Sequence, residues 1–265
     1  MGETVMKIEK VTGIYFSPTG HTREVVQHIA EGLNNGAGLL DLTSAEHETQ
    51  RRQYSAQELV VVGVPVYGGR IPALAEKRMT LMQGDQTPAV IVVTYGNRDY
   101  EDALLELKNE LEHRRFVVVG AAAVVTEHSI VHEVGAGRPD EQDWQQINHF
   151  VEELNKKLQQ LDSVNQQERV KVKGKYPYRK YDGIPLKPKA DKHCTSCGFC
   201  VRECPAQAID AQHPQKTDKS RCISCMRCVT YCPQEARHVN PLLLKLVSAK
   251  MKKSCSARRE NEFSF

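Results

Sequence analysis

Apolar residues fall into two spacings along this chain. Residues 11–16, 59–64, 89–95 and 116–125 are near-continuous apolar runs. Runs without polar interruption predict strands covered on both faces, as in a parallel sheet. Between them apolar positions recur at helical spacing. Val25, Val26, Ile29, Ala30 and Leu33 form one such stripe. Ala103, Leu104, Leu107 and Leu111 form a second, within a helix predicted over 100–113. Trp144, Ile147, Val151, Leu154 and Leu158 form a third, within a long helix over 140–161. Residues 39–42 predict a short second strand, and 73–82 a helix after Pro72. Strand–helix alternation of this kind predicts an α/β domain, doubly wound around a parallel five-stranded sheet. The order 2-1-3-4-5 fits five such strands.

The periodicity stops near residue 162, and the cysteines take over. Eight of the nine cysteines form two copies of one pattern. The first is Cys194, Cys197, Cys200 and Cys204 followed by Pro205; the second is Cys222, Cys225, Cys228 and Cys232 followed by Pro233. Three thiolates two residues apart wrap one side of a cubane, and the fourth must come from elsewhere. In a two-cluster [4Fe–4S] framework the fourth cysteine of each run binds the other run's cluster. Cys194, Cys197, Cys200 and Cys232 are therefore assigned to one cluster, and Cys222, Cys225, Cys228 and Cys204 to the second. Zinc sites instead pair Cys-x-x-Cys units or add histidines. A disulfide scaffold implies an oxidising compartment, and no secretory signal is recognised at Met1-Gly2-Glu3-Thr4. Cys255 lies outside both runs and reads as a free thiol near a mobile tail.

These segments divide the chain into 1–161, a connector 162–184 expected to run over the surface, a smaller α+β two-cluster unit at 185–240, and a basic tail 241–265. The tail predicts a short helix packed on one of the domains. Charge sharpens the division. Residues 1–164 carry 15 basic and 24 acidic side chains, and 165–265 carry 21 and 9, which together give the net +3. Opposite signs can steer two halves together, in which case salt slows transfer between them. The basic residues are scattered among the cysteines, without a recognition helix or aromatic platform, so no nucleic-acid partner is expected. No apolar run approaches the ~18 residues of a membrane span, and a cytoplasmic location is the expectation.

Three loops follow the apolar runs of the first half. Ser17-Pro18-Thr19-Gly20-His21-Thr22 places hydroxyls and a glycine where a strand meets a helix. Backbone N–H groups there make an anion site. Neither a dinucleotide fingerprint nor a Walker loop is present, and hydroxyl-rich recognition suits a phosphate monoester such as that of FMN. Pro65-Val66-Tyr67-Gly68-Gly69-Arg70 and Thr94-Tyr95-Gly96-Asn97-Arg98-Asp99-Tyr100 end two further strands at the same sheet edge, where ligands bind. Each offers glycine for close backbone approach and tyrosine for stacking.

Ser-Pro-Thr-Gly-His-Thr resembles the FMN phosphate loop of flavodoxins. With Pro-Val-Tyr-Gly-Gly-Arg and Thr-Tyr-Gly-Asn-Arg, the chain resembles the fused flavodoxin–ferredoxin family from about residue 11 to 239. The resemblance implies a flavodoxin-like FMN unit. Ser17, Thr19, Gly20, His21 and Thr22 would hold phosphate, and Tyr67, Gly68, Tyr95, Gly96 and Asn97 would flank the ring. Pro65, Val66, Gly69, Thr94 and Tyr100 of the same loops complete the cofactor-binding set that the resemblance implies. Glu127-His128-Ser129 and Gly137-Arg138-Pro139-Asp140 also resemble the family, without an assigned role. Arg237 departs from the aliphatic residue usual after the last cysteine; beside a cluster it would favour the reduced, more negative state.

FMN exchanges electrons singly or in pairs, and clusters exchange them one at a time. The leading reading is an electron carrier serving redox protein partners. The alternatives are a reductase of a small-molecule acceptor at FMN, with His21, His128 or Tyr100 as proton donor, and a redox or iron sensor.

Overall fold

The computed structural model describes residues 7–44, 51–160, 163 and 168–265. The chain's first residues and the boundary expected at 161 and 162 lie outside them. In chain order the elements begin β1 (Lys10–Tyr15), α1 (His21–Leu33), β2 (Gly38–Asp41), β3 (Arg52–Tyr54), β4 (Glu58–Pro65), α2 (Ala73–Met79), β5 (Met82–Gly84) and β6 (Thr87–Tyr95). They continue α3 (Ala103–His113), β7 (Phe116–Val125), α4 (Glu141–Gln159), β8 (Lys189–Ala190), α5 (Phe199–Glu203) and α6 (Arg227–Thr230). The last are β9 (Arg237–His238), α7 (Pro241–Ser254) and β10 (Glu262–Ser264).

One sheet runs in the order β10-β7-β6-β4-β1-β2. Its five parallel strands have the order 2-1-3-4-5, and β10 adds an antiparallel sixth strand at the β7 edge. Alternate side chains of each central strand feed opposite faces, the period-two rule of a pleated strand. Val60, Val62, Val64, Ile91 and Val93 pack with α2 and α3 through Met79, Leu104, Leu107 and Leu111. Leu59, Val61, Val90 and Val92 pack with α1 and α4 through Val26, Ile29, Ile147 and Leu154. α1 lies so close to β4 that a Cβ on Gly63 would stand 2.2 Å from Val26 Cγ2. Only a residue without a side chain allows that approach.

Four sequence expectations need amending. The helix after Pro72 stops at Met79, and Met82 instead joins β5, parallel to β3. The connector is not confined to the surface: Val170 is 1% exposed and belongs to the core beside α3. The tail forms α7, capped by the Asn240 side chain accepting from Leu242 N and Leu243 N. α7 packs on both halves, with Leu244 and Val247 touching Val131 and Val134 on one side and Leu186 and Met226 on the other. Cys255, read as a tail thiol, is buried in the first of these clusters. Among the described residues no helix is long and apolar enough to cross a membrane.

Candidate functional site

All five parallel strands end on one side of the sheet, so their loops converge. The loop after β1 turns into α1 at Gly20. The Ser17 amide donates to Thr43 Oγ1 at 2.6 Å, and Ser17 Oγ accepts from Arg23 N at 2.9 Å. Thr22 and Thr94 share a buried hydroxyl–hydroxyl bond of 2.7 Å, which ties this loop to the end of β6. The loop after β4 is a tight reversal. Tyr67 N donates to Arg70 O at 2.9 Å, with Gly68 and Gly69 between them at φ 60 and 85. Two successive positive φ values describe a primed hairpin turn, which glycine adopts without steric cost. Glu106, buried on α3, anchors the turn by accepting from Ile71 N at 2.9 Å and Arg70 Nε at 2.8 Å.

A cleft with a cavity volume of about 50 Å³ opens between these loops. Thr19, His21, Thr22, Pro65, Val66, Tyr67, Thr94, Tyr95 and Gly96 line it, as does the segment 126–129 after β7. A second void, of about 240 Å³, shares Val66, Tyr67, His128 and Ser129 with the first and adds Gly68 and Arg98. Hydroxyl groups and a helix start at one end, with tyrosine, valine and glycine at the other, fit a phosphorylated flavin. Of this segment the sequence pointed only to His128, as a proton donor, and gave Thr126, Glu127 and Ser129 no chemical role. The rule that ligands gather at strand carboxyl ends applies equally to the fifth strand, and that signal was available.

His128 stands at the join of the two voids. Its Nδ1 accepts from Ile130 N at 3.1 Å and Val131 N at 3.0 Å. An Nδ1 that accepts twice leaves the proton on Nε2 in the neutral ring. Burial first, then the charges of His132 and Arg98, push this imidazole down to about 4.

Two of the expected cofactor-binding residues, Asn97 and Tyr100, lie elsewhere. Asn97 is 5% exposed, and its Nδ2 donates to the carbonyls of Cys255 and Ala257, both at 2.9 Å. Its Oδ1 accepts from Arg259 N at 2.9 Å. Tyr100 packs edge-on to Tyr95 and donates its hydroxyl to Glu262 at 2.5 Å. Neither lines the two voids. Both clamp the C-terminal tail across the loop, so Tyr100 is not placed to give up a proton there. Arg138 likewise pairs with Asp143 on α4 and donates to Arg259 O at 3.2 Å. Ser17 and Gly69 support the loops without lining either void.

The connector closes the cavity from outside. Its Tyr181 ring lies on Gly68, where a Cβ would come within 2.2 Å of it. Asp102 at the start of α3 holds the connector by accepting from Lys175 N at 2.9 Å and Arg179 N at 2.7 Å. The larger void is also walled by Ile223, Ser224, Val247 and Met251, from the cysteine-rich segment and α7.

The cysteines surround two further voids of nearly equal size. Cys194, Cys197, Cys200 and Cys232 line one of about 20 Å³. Cys204, Cys222, Cys225 and Cys228 line one of about 20 Å³. This is the grouping of the crossed ligand assignment. The backbone repeats as well: Ser196 and Ser224 have φ 54 and 56, Gly198 and Met226 have φ 74 and 62, and Gln207 and Glu235 have φ 48 and 49. All eight cysteines are free thiols. They are spread around their voids: among the described residues, no three His, Cys, Asp or Glu side chains could hold a single metal ion. Burial pushes the Cys225 thiol up to about 12 and Cys228 up to about 11. Such thiols become thiolates when a metal coordinates them, so the donor set fits an iron–sulfur cage. Ala208 N points to Cys204 Sγ at 3.3 Å and Ser224 N to Cys222 Sγ at 3.4 Å. N–H groups directed at sulfur are one way a protein sets cluster potential.

Arg237 lies between the quartets. It is 2% exposed, donates Nη1 to Pro214 O at 2.6 Å, and brings that nitrogen to 3.7 Å from Cys200 Sγ. Its charge also favours the thiolates of Cys200 and Cys228, one from each quartet. Among the described residues its buried Nε has no partner. The flavin loop and the second quartet meet at Tyr67. Burial raises its phenol well above the ordinary range, and Cys225, Tyr181 and Cys222 add to the rise.

Two family models match the chain: a flavodoxin domain over residues 14–117 and a 4Fe-4S dicluster domain over 193–237. No curated protein matches. Among solved structures, a flavodoxin from the domain Archaea is 14% identical, covering 56% of this chain and 98% of its own, with a TM-score of 0.41. Oxidised flavodoxin 2 from Bacillus cereus is 14% identical, covering 56% and 99%, with a TM-score of 0.42. Rubredoxin oxygen:oxidoreductase from Desulfovibrio gigas is 14% identical over 58% of this chain and 37% of its own, with a TM-score of 0.43.

Proposed function

The chain is a fused flavodoxin–ferredoxin protein, an electron-transfer flavoprotein by its two domains, and on that premise we propose that it couples one FMN to two [4Fe–4S] clusters. Bound FMN supplies electrons singly or in pairs, and cubane clusters take them one at a time. Thr19, Gly20, His21 and Thr22 hold the phosphate, while Ser17 fixes the loop's shape. Val66, Tyr67, Gly68, Tyr95 and Gly96 hold the ring. Cys194, Cys197, Cys200 and Cys232 bind one cluster; Cys204, Cys222, Cys225 and Cys228 bind the other. Residues 1–161 form the flavin unit, 162–184 the connector, 185–240 the cluster unit and 241–265 the basic tail.

The observation that carries this reading is Tyr67. It walls the flavin void and is also a close neighbour of Cys222 and Cys225. Ile223 and Ser224, between those two cysteines, line the same void. The segment that carries the second quartet therefore borders the flavin void, whose other walls include Tyr181 of the connector and Val247 and Met251 of α7. Redox proteins are the partners this arrangement serves. Anaerobic purification, with iron, sulfide and flavin counted in one sample, tests it. The expected content is two cubane clusters and one FMN per chain, with interacting EPR signals on reduction. Colourless protein, or protein that holds zinc alone, would refute it.

One feature favours a second reading, reduction of a small molecule. A void of about 710 Å³ lies beside Tyr67 and Cys222, with Arg70, Lys187 and Lys219 among its walls. Flavin reoxidation that depends on an added acceptor, measured without oxygen, would establish it.

A further inference from the structure

The phosphate loop has a neighbour from the far end of the chain. Arg227 in α6 immediately precedes Cys228, and Tyr231 immediately precedes Cys232. Arg227 Nη1 donates to the Pro18 carbonyl at 3.1 Å, and its Nε is held by Glu203 at 3.1 Å. The guanidinium lies over the Tyr231 ring, 5.1 Å from its centroid. Held this way, the Tyr231 hydroxyl reaches the loop and stands 3.3 Å from where a Cβ on Gly20 would be. Gly20, at φ 101, begins α1 without a side-chain cap. Tyr231 is 40% exposed and stands outside the walls of the two voids, and among the described residues its hydroxyl makes no hydrogen bond to protein. Positive charge stands on both sides of the loop. Burial and Asp41 raise the neighbouring Tyr15 phenol, while Arg23 and Arg227 oppose them.

The geometry points to Tyr231 as a ligand of the flavin's phosphate: its phenol O–H donates to a phosphate oxygen, and Arg227 positions the ring. The inference rests on the reading of residues 17–22 as the FMN phosphate loop. A hydroxyl donor to an anion is stronger than a neutral pair. It also lets the loop's small residues be completed from a domain that has its own cofactors. Because Tyr231 adjoins a cluster thiolate, assembly of the cysteine-rich segment sets its position. By linkage, flavin binding and cluster assembly then strengthen each other.

The test uses the full chain, loaded with iron–sulfur and stripped of flavin, titrated anaerobically with FMN and with riboflavin. Flavin fluorescence reads both affinities in the wild type and in Tyr231→Phe. The variant is expected to bind FMN roughly tenfold more weakly, the worth of one charge-assisted hydrogen bond, and riboflavin unchanged. Unchanged FMN affinity overturns the inference. An equal loss for both flavins overturns it too, because it marks a packing defect with no preference for phosphate. A wild type that binds neither flavin overturns the FMN reading itself, and this inference with it.

Discussion

Arg237 shows how much a single buried charge can do. Its guanidinium reaches Cys200 of one quartet and favours the Cys228 thiolate of the other. A positive charge favours the more negative, reduced state. Arg237→Ile should therefore move both cluster potentials downward in protein-film voltammetry, whereas the sequence suggested a shift at one; two unmoved potentials would contradict the assignment. His128 gives a pH signature. Its ordinary value of 6.5 falls to about 4 in the fold, chiefly through burial. Between those values the unfolded chain binds the extra proton, so stability rises with pH there and is lost on acidification. As pH drops from about 6.5 to about 4, wild type should lose on the order of 2–3 kcal/mol relative to His128→Gln. Anaerobic denaturant unfolding checks this, and parallel curves would rule it out. The cysteines were legible at this scale because cluster chemistry fixes their spacing. Asn97 and Tyr100 were not, because side-chain direction depends on Cys255, Ala257 and Glu262, distant in sequence.

The strands and helices of the flavin unit were legible because burial on both faces leaves unbroken apolar runs. β7 spans Phe116–Val125, the run read from sequence. β10 gave no such signal. It has three residues, Glu262, Phe263 and Ser264, and pairs antiparallel with Ala121, Ala122 and Ala123. What secures it lies outside it. Asn97 binds the tail three times, Tyr100 holds Glu262, and Phe263 stacks on Phe150 at 4.9 Å. The tail is thus a strap fixing the loop after β6. Asn97→Ala should cost on the order of 2 kcal/mol, since a buried amide loses three hydrogen bonds and the buried Cys255 carbonyl is left without its partner. Urea unfolding of the loaded protein measures it; a loss under about 0.5 kcal/mol, the scale of a surface change, would mean the strap is ornamental.

For the molecule as a whole, opposite charge on the two halves suggested docking by attraction. The ion pairs that join the signs run instead through the connector and the tail: Lys173 with Asp99, Arg179 with Glu101, Lys252 with Glu133, and Arg258 with Asp140. The cluster unit is held by guanidinium groups on carbonyls, Arg78 on Pro205 at 2.8 Å and Arg227 on Pro18 at 3.1 Å, and by Ile223 against the flavin-side core. Salt screens exposed charges far more than such contacts. Flavin-to-cluster transfer should therefore hold its rate as ionic strength rises, where a steep fall would restore docking by charge. Domain order was legible from composition, but this interface was not, because backbone carbonyls leave no trace in sequence. The central claim is electronic contact inside one chain, across Tyr67. Flash reduction of the flavin in oxygen-free solution, followed by cluster bleaching, tests it most directly. The account predicts bleaching at a rate independent of protein concentration; a rate that grows in proportion to concentration, or no bleaching at all, would contradict it.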